Sequence, residues 1–142
     1  MLTAATMALA VPLAVPAQAQ DYPLAPGEYT EFSGIALKDG GGLKYAQWLA
    51  TEWKRNQEFA KSQGWISDYK IYINFNPRDG EPDIYLMSTF ASLPDAAEQE
   101  NRSAAYREWN KKSVEQLASE SGNRAEYRTV LNSILLQEYT PR

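Results

Sequence analysis

The sequence predicts an α+β domain of four strands and two helices in the order β-α-β-β-α-β. Three observations lead there. Ser67 to Ala91 holds two alternating apolar runs around a turn-rich segment, which is the pattern of a β-hairpin. A stretch with helical apolar spacing stands on either side of that hairpin, and a β-type run closes each end of the chain. At 142 residues, with 44% hydrophobic and 23% charged residues, the chain fits one domain with an ordinary core.

The opening Met1 to Gln20 carries no charge, is rich in Ala, Leu and Val, and ends in Ala17-Gln18-Ala19, the small-x-small pattern of a signal-peptidase site. Cleavage is expected after Ala19, so that residues 1–19 form a signal peptide. Pro12 and Pro16 interrupt the apolar part, which is shorter than the roughly 20 residues that span a bilayer. The expected product is a periplasmic or secreted protein with no membrane attachment after cleavage. Residues 20–28, with Pro23, Pro26 and Gly27, read as an extended lead-in to a domain over 29–142.

Tyr29 to Leu37 is the first predicted strand, with Gly34 as a bulge or close-approach point. Lys38 to Gly42 breaks the chain. Its three glycines match neither phosphate-binding spacing, so a strand-to-helix connection is the reading. Leu43 to Gln63 follows as a helix. Leu43, Ala46, Ala50, Trp53, Gln57 and Ala60 form its apolar stripe, and Tyr45, Trp48, Leu49 and Phe59 widen the face enough to suggest burial on two sides. Gly64 suits the position after a helix end.

In the hairpin, Tyr69, Ile71, Ile73 and Phe75 alternate with Lys70, Tyr72 and Asn74, and Ile84, Leu86 and Phe90 alternate with Asp83, Tyr85 and Met87. The first set is expected to hold the helices, and Asp79-Gly80 is the tightest point of the turn. Ser92-Leu93-Pro94-Asp95 reads as the start of a second helix running to about Ser119, with a break near Asn101 to Ser103. Leu131 to Tyr139 is the last predicted strand.

This order is the ferredoxin-like split βαβ motif, a four-stranded antiparallel sheet with two helices on one face. The other face would carry Tyr72, Asn74, Tyr85, Met87, Gln137 and Tyr139, which is too aromatic for an ordinary wet surface. A second subunit is the natural cover. On the element order, Trp48 and Trp53 in a W-x4-W helix, the Gly64-Trp65-Ile66 entry to the second strand and the hairpin, Tyr29 to Tyr139 resembles the dimeric α/β-barrel superfamily, and within it the NIPSNAP-like and uncharacterised exported bacterial members. The resemblance implies a homodimer with ligands held between sheet and helices. It also implies a choice among cofactor-free monooxygenases, haem-dependent enzymes, lyases and binding proteins. The haem branches generally use a histidine, and this chain has none.

Composition narrows the chemistry further. With neither Cys nor His, thiolate chemistry, disulfides and the commonest general base and metal ligand are absent. A net charge of −4 with no basic block gives no general field for nucleic acid. No metal and no cofactor are expected.

Tyr72, Asn74, Tyr85, Met87 and Tyr139 are the ligand-binding candidates, and the same residues suit a dimer interface. The four tryptophans read as core or interface anchors. Asp79, Glu81 and Asp83 fail the calcium-loop pattern and read as a solvated hairpin tip. Glu31 is the carboxylate best placed for a half-buried setting and so the candidate base, with a surface position as the simpler reading. The leading expectation is an exported dimer that binds a small apolar or aromatic molecule. A cofactor-independent monooxygenase or lyase acting on an aromatic compound, and a structural or partner-binding protein, are the alternatives.

Overall fold

The computed structural model describes residues 22–142, so the signal-peptide reading of residues 1–19, with residues 20 and 21, lies outside the described residues. The elements are β1 (Leu24–Leu37), α1 (Gly42–Trp48), a π-helical segment (Leu49–Trp53), α2 (Lys54–Ser62), β2 (Asp68–Ile73), β3 (Ile84–Phe90), α3 (Ala96–Asn110), α4 (Val114–Asn123), a 3-10 turn (Arg124–Glu126) and β4 (Arg128–Pro141). The fold is α+β. Its four strands form one antiparallel sheet in the order β2-β3-β1-β4.

Both outer sequence boundaries move outward. β1 begins at Leu24, because Leu24, Ala25 and Pro26 pair with Pro141, Thr140 and Tyr139 of β4, so part of the expected lead-in belongs to the sheet. The β1–β4 register shifts twice, between Pro26 and Tyr29 and between Gly34 and Ile35. At the second shift Gly34 faces Asn132 while Ile35 faces Val130, which leaves Leu131 as the extra residue of a bulge. Gly34 is the close-approach point: a Cβ there would stand 2.4 Å from Asn132 Oδ1 and 2.5 Å from Pro82 Cγ.

The helical stripe differs from the one read in the sequence. Tyr45, Leu49 and Trp53 are the buried residues, and they pack with Ile35 and Ile84; Leu43, Ala46 and Ala50 are exposed. In an α-helix a four-residue step over-rotates, whereas the wider π turn brings Leu49 and Trp53 back beneath Tyr45. The larger side chains therefore take the sheet. The second side of this helix is also used, since Phe59 stacks on Trp109 of α3 with ring centres 4.2 Å apart and meets Trp65 edge-on at 5.3 Å. Arg55 closes the pairing with a hydrogen bond to Asn110 Oδ1 at 2.6 Å.

The second expected helix is divided. Asp95, and not Ser92, is the cap: its carboxylate accepts from the Glu98 N–H at 2.8 Å, because Pro94 precedes it and the chain at Asp95 is still extended. The break lies at Lys111, which takes a left-handed conformation with φ 56°, and not near Asn101 to Ser103. Ser113 and Gln116 then form a capping box that starts α4. Lys112 bridges Glu120 at 2.8 Å and Glu52 at 3.8 Å, tying α4 back to the π segment.

The connection after β1 is as tight as its glycines suggest. Gly40 has a positive φ of 74°, and a Cβ on Gly41 would lie 2.3 Å from the Tyr127 carbonyl oxygen. At the edge of the sheet, Ile71 and Ile73 are on the helix side yet stay exposed, and Phe75, outside β2, is 94% exposed. The apolar face of the hairpin thus contributes chiefly through Ile84 of the inner strand.

Candidate functional site

The register sorts the candidate residues between two faces. Glu31, Ser88 and Phe90 lie on the side of Ile35 and Ile84, where the helices pack, while Phe32, Tyr72, Tyr85 and Met87 lie on the other.

On the helix side, an open cleft of about 750 Å³ lies between the sheet and α3. Glu31, Ser88 and Phe90 form its floor. Ala60, Trp65 and Ile66 make one wall, Gln99, Arg102, Ser103 and Tyr106 of α3 make the other, and Leu93 and Pro94 stand at the loop between sheet and helix. The space is of the size that holds small molecules, roughly 300–1,000 Å³.

The polar groups of this cleft are mostly engaged. Arg102 forms an ion pair with Glu98, its Nε donating at 2.9 Å, and its guanidinium lies 5.7 Å from the centre of the Trp65 ring. Ser88 Oγ and Gln57 Oε1 are 3.3 Å apart in a hydrogen bond. The Tyr106 hydroxyl accepts from Asn110 Nδ2 at 3.3 Å, and burial raises its pKa, so it stays protonated and able to donate. Glu31 is exposed and accepts from Ser133 Oγ at 2.6 Å. It belongs to no ion pair among the described residues.

On the open side, Tyr72 and Tyr85 face each other across β2 and β3, and the Phe32 ring lies 6.3 Å from that of Tyr72. These three, with Ile134 and Leu136 of β4, line a wholly apolar groove of about 410 Å³. Met87 sits beneath, 6% exposed, with its sulfur 3.9 Å from the Tyr72 hydroxyl. Of the five ligand-binding candidates, then, Tyr72, Tyr85 and Met87 come together.

Asn74 and Tyr139 do not join them. Asn74 follows the end of β2 and is spent on the loop: its Nδ2 donates to the Pro82 carbonyl at 3.1 Å and its Oδ1 accepts from the Asn76 N–H at 3.2 Å. Tyr139 pairs with Pro26, and by alternation along β4 it shares the side of Leu135 and Gln137, opposite to Ile134 and Leu136. The residues that replace it, Ile134 and Leu136, sit in an Ile-Leu-Leu run whose apolar content on both faces hides the alternation. Phe32 was legible in principle, two places from Thr30 and Gly34 in an extended run.

The other sequence candidates resolve into structure. Asp83 Oδ2 accepts from the Leu37 N–H at 2.7 Å. Glu81 holds the Arg78 backbone N–H and side chain across the turn, which keeps its carboxyl below the usual range. No group of three or more acidic side chains suited to a metal occurs among the described residues. Trp53 is core, Trp48 packs beside the core with the Arg124 guanidinium 4.4 Å from its ring centre, Trp109 anchors α3, and Trp65 alone of the four lines the cleft. No helix among the described residues is long and apolar enough to cross a membrane. No protein-family model, curated protein or solved structure matches the chain.

Proposed function

We propose that this protein is a ferredoxin-like subunit of a dimeric α/β barrel that binds a small apolar or aromatic molecule between its sheet and its helices. The observation that carries the reading is the cleft of about 750 Å³, whose lining combines Trp65, Phe90 and Tyr106 with a few polar groups able to orient a ligand. The strand order β2-β3-β1-β4, antiparallel throughout, supports the ferredoxin-like arrangement. The groove at Phe32, Tyr72 and Leu136 presents chiefly ring and aliphatic surface, and such a surface suits a second copy of the sheet.

The enzyme alternative loses its best constellation. Glu31, the candidate base, and Tyr72, a polar handle that this reading would need beside it, lie on opposite faces of the sheet. Export is supported by the uncharged Met1–Gln20 stretch and its Ala17-Gln18-Ala19 ending.

Native mass spectrometry of the protein taken from its own host tests the reading in one measurement. A dimer carrying a bound small molecule, with a chain mass beginning at Gln20, is the expected result. A monomer without ligand overturns both the barrel and the binding reading.

A further inference from the structure

We infer that the molecule held in the cleft carries an amine: an apolar or aromatic body lying among the rings, with its ammonium group at Glu31. The inference rests on the binding reading above and adds the charge of the ligand to it.

Charge accounting within the cleft leads to Glu31. Among the described residues of the lining the one cation, Arg102, is already neutralised by Glu98 and occupied over Trp65. The remaining polar groups, on Ser88, Gln99, Ser103 and Tyr106, are neutral. Glu31 therefore supplies the uncompensated charge of the cavity, and it is negative.

Its surroundings reinforce the sign. Ser88 and Leu135 are its direct cross-strand neighbours, and among the described residues Ser133 donates the one side-chain hydrogen bond it receives, at 2.6 Å to Oε1. Oε2 keeps its acceptor capacity for a ligand. Phe90 and Tyr106 add aromatic rings to the lining, and aromatic rings attract an ammonium group and not a carboxylate. An anionic ligand would meet Glu31 as a like charge and find Arg102 already paired.

Calorimetric titration with three compounds of one shape and different charge tests this: tryptamine, tryptophol and indole-3-propionate. Tryptamine is expected to bind about five- to tenfold more tightly than tryptophol, as for a charge-assisted contact at a partly open site, with indole-3-propionate weakest. Glu31→Gln is expected to bring tryptamine down to the level of tryptophol. Ser133→Ala, which frees Oε1 and keeps the charge, should strengthen tryptamine binding. Equal binding of amine and alcohol, tighter binding of the acid, or an amine preference that survives Glu31→Gln overturns the inference and leaves the binding reading in place. If none of the three binds, the binding reading falls and the inference with it.

Discussion

The carboxylate of Asp83 accepts a hydrogen bond from the backbone N–H of Leu37 at 2.7 Å, while the N–H of Asp83 donates to the Ile35 carbonyl at 2.8 Å. One residue at the base of the hairpin loop thus holds the end of β1, where the chain turns towards its first helix. Replacing Asp83 with Ala leaves the Leu37 N–H without its acceptor and should cost about 1–3 kcal/mol. Asp83→Asn keeps an acceptor oxygen and should cost less. Urea unfolding of the two variants checks the order, and equal losses would remove the assigned role.

Gly34 is fixed by space and not by φ. A methyl group there meets the Asn132 side chain, which can swing away, and the Pro82 ring, which is buried and cannot. Gly34→Ala should destabilise the protein by ~1–3 kcal/mol. Adding Asn132→Ala should recover only part of the loss. Full recovery in thermal melts would show that Pro82 is not the obstacle.

The open face is the site of the proposed pairing. Leu136, 52% exposed on β4, is a position where a charge does not disturb the core of the single chain. Leu136→Glu should convert a dimer into a monomer with little change in the far-ultraviolet dichroism, because an unpaired carboxylate would be buried between two sheets. Light scattering after gel filtration reads the mass directly. A dimer unchanged by Leu136→Glu would place the contact elsewhere.

Burial pushes the Tyr45 hydroxyl up to about 12, the Arg128 and Arg124 charges opposing the shift only in part. The unfolded chain releases this proton near pH ~10, so above that pH unfolding is favoured by ionisation. The stabilisation is fully present below pH ~10 and is lost as the pH rises from there through about 12. Its size is at most roughly 3 kcal/mol. Tyr106, raised by burial in the same direction, adds to the effect. Tyr45→Phe should therefore flatten, without abolishing, the fall in unfolding free energy between pH 9 and about pH 11.5. An unchanged slope would show that Tyr45 does not titrate in that range.

What the linear chain determined is whatever depends on neighbours in sequence. Alternation placed Tyr72, Tyr85 and Met87 on one side of the hairpin and Ile84 on the other, because successive strand residues must point oppositely. Gly34 was legible as a point of close approach, and the wide apolar face of the first helix as one buried on two sides. The antiparallel four-stranded sheet followed from element order. The tertiary structure decided the rest, since it depends on contacts that sequence spacing does not carry. The π segment selected Tyr45, Leu49 and Trp53 as the buried stripe over the set that a regular helix presents. The register between β1 and β4, with Ile134 opposite Phe32 and Leu135 opposite Glu31, decided which face of β4 joins the open side, and it put Ile134 and Leu136 there and not Tyr139. Above all, the β1–β3 and β2–β3 registers put Glu31, the candidate base, on the helix side, where it lines the cleft beside α3, and Tyr72 on the opposite face of the sheet.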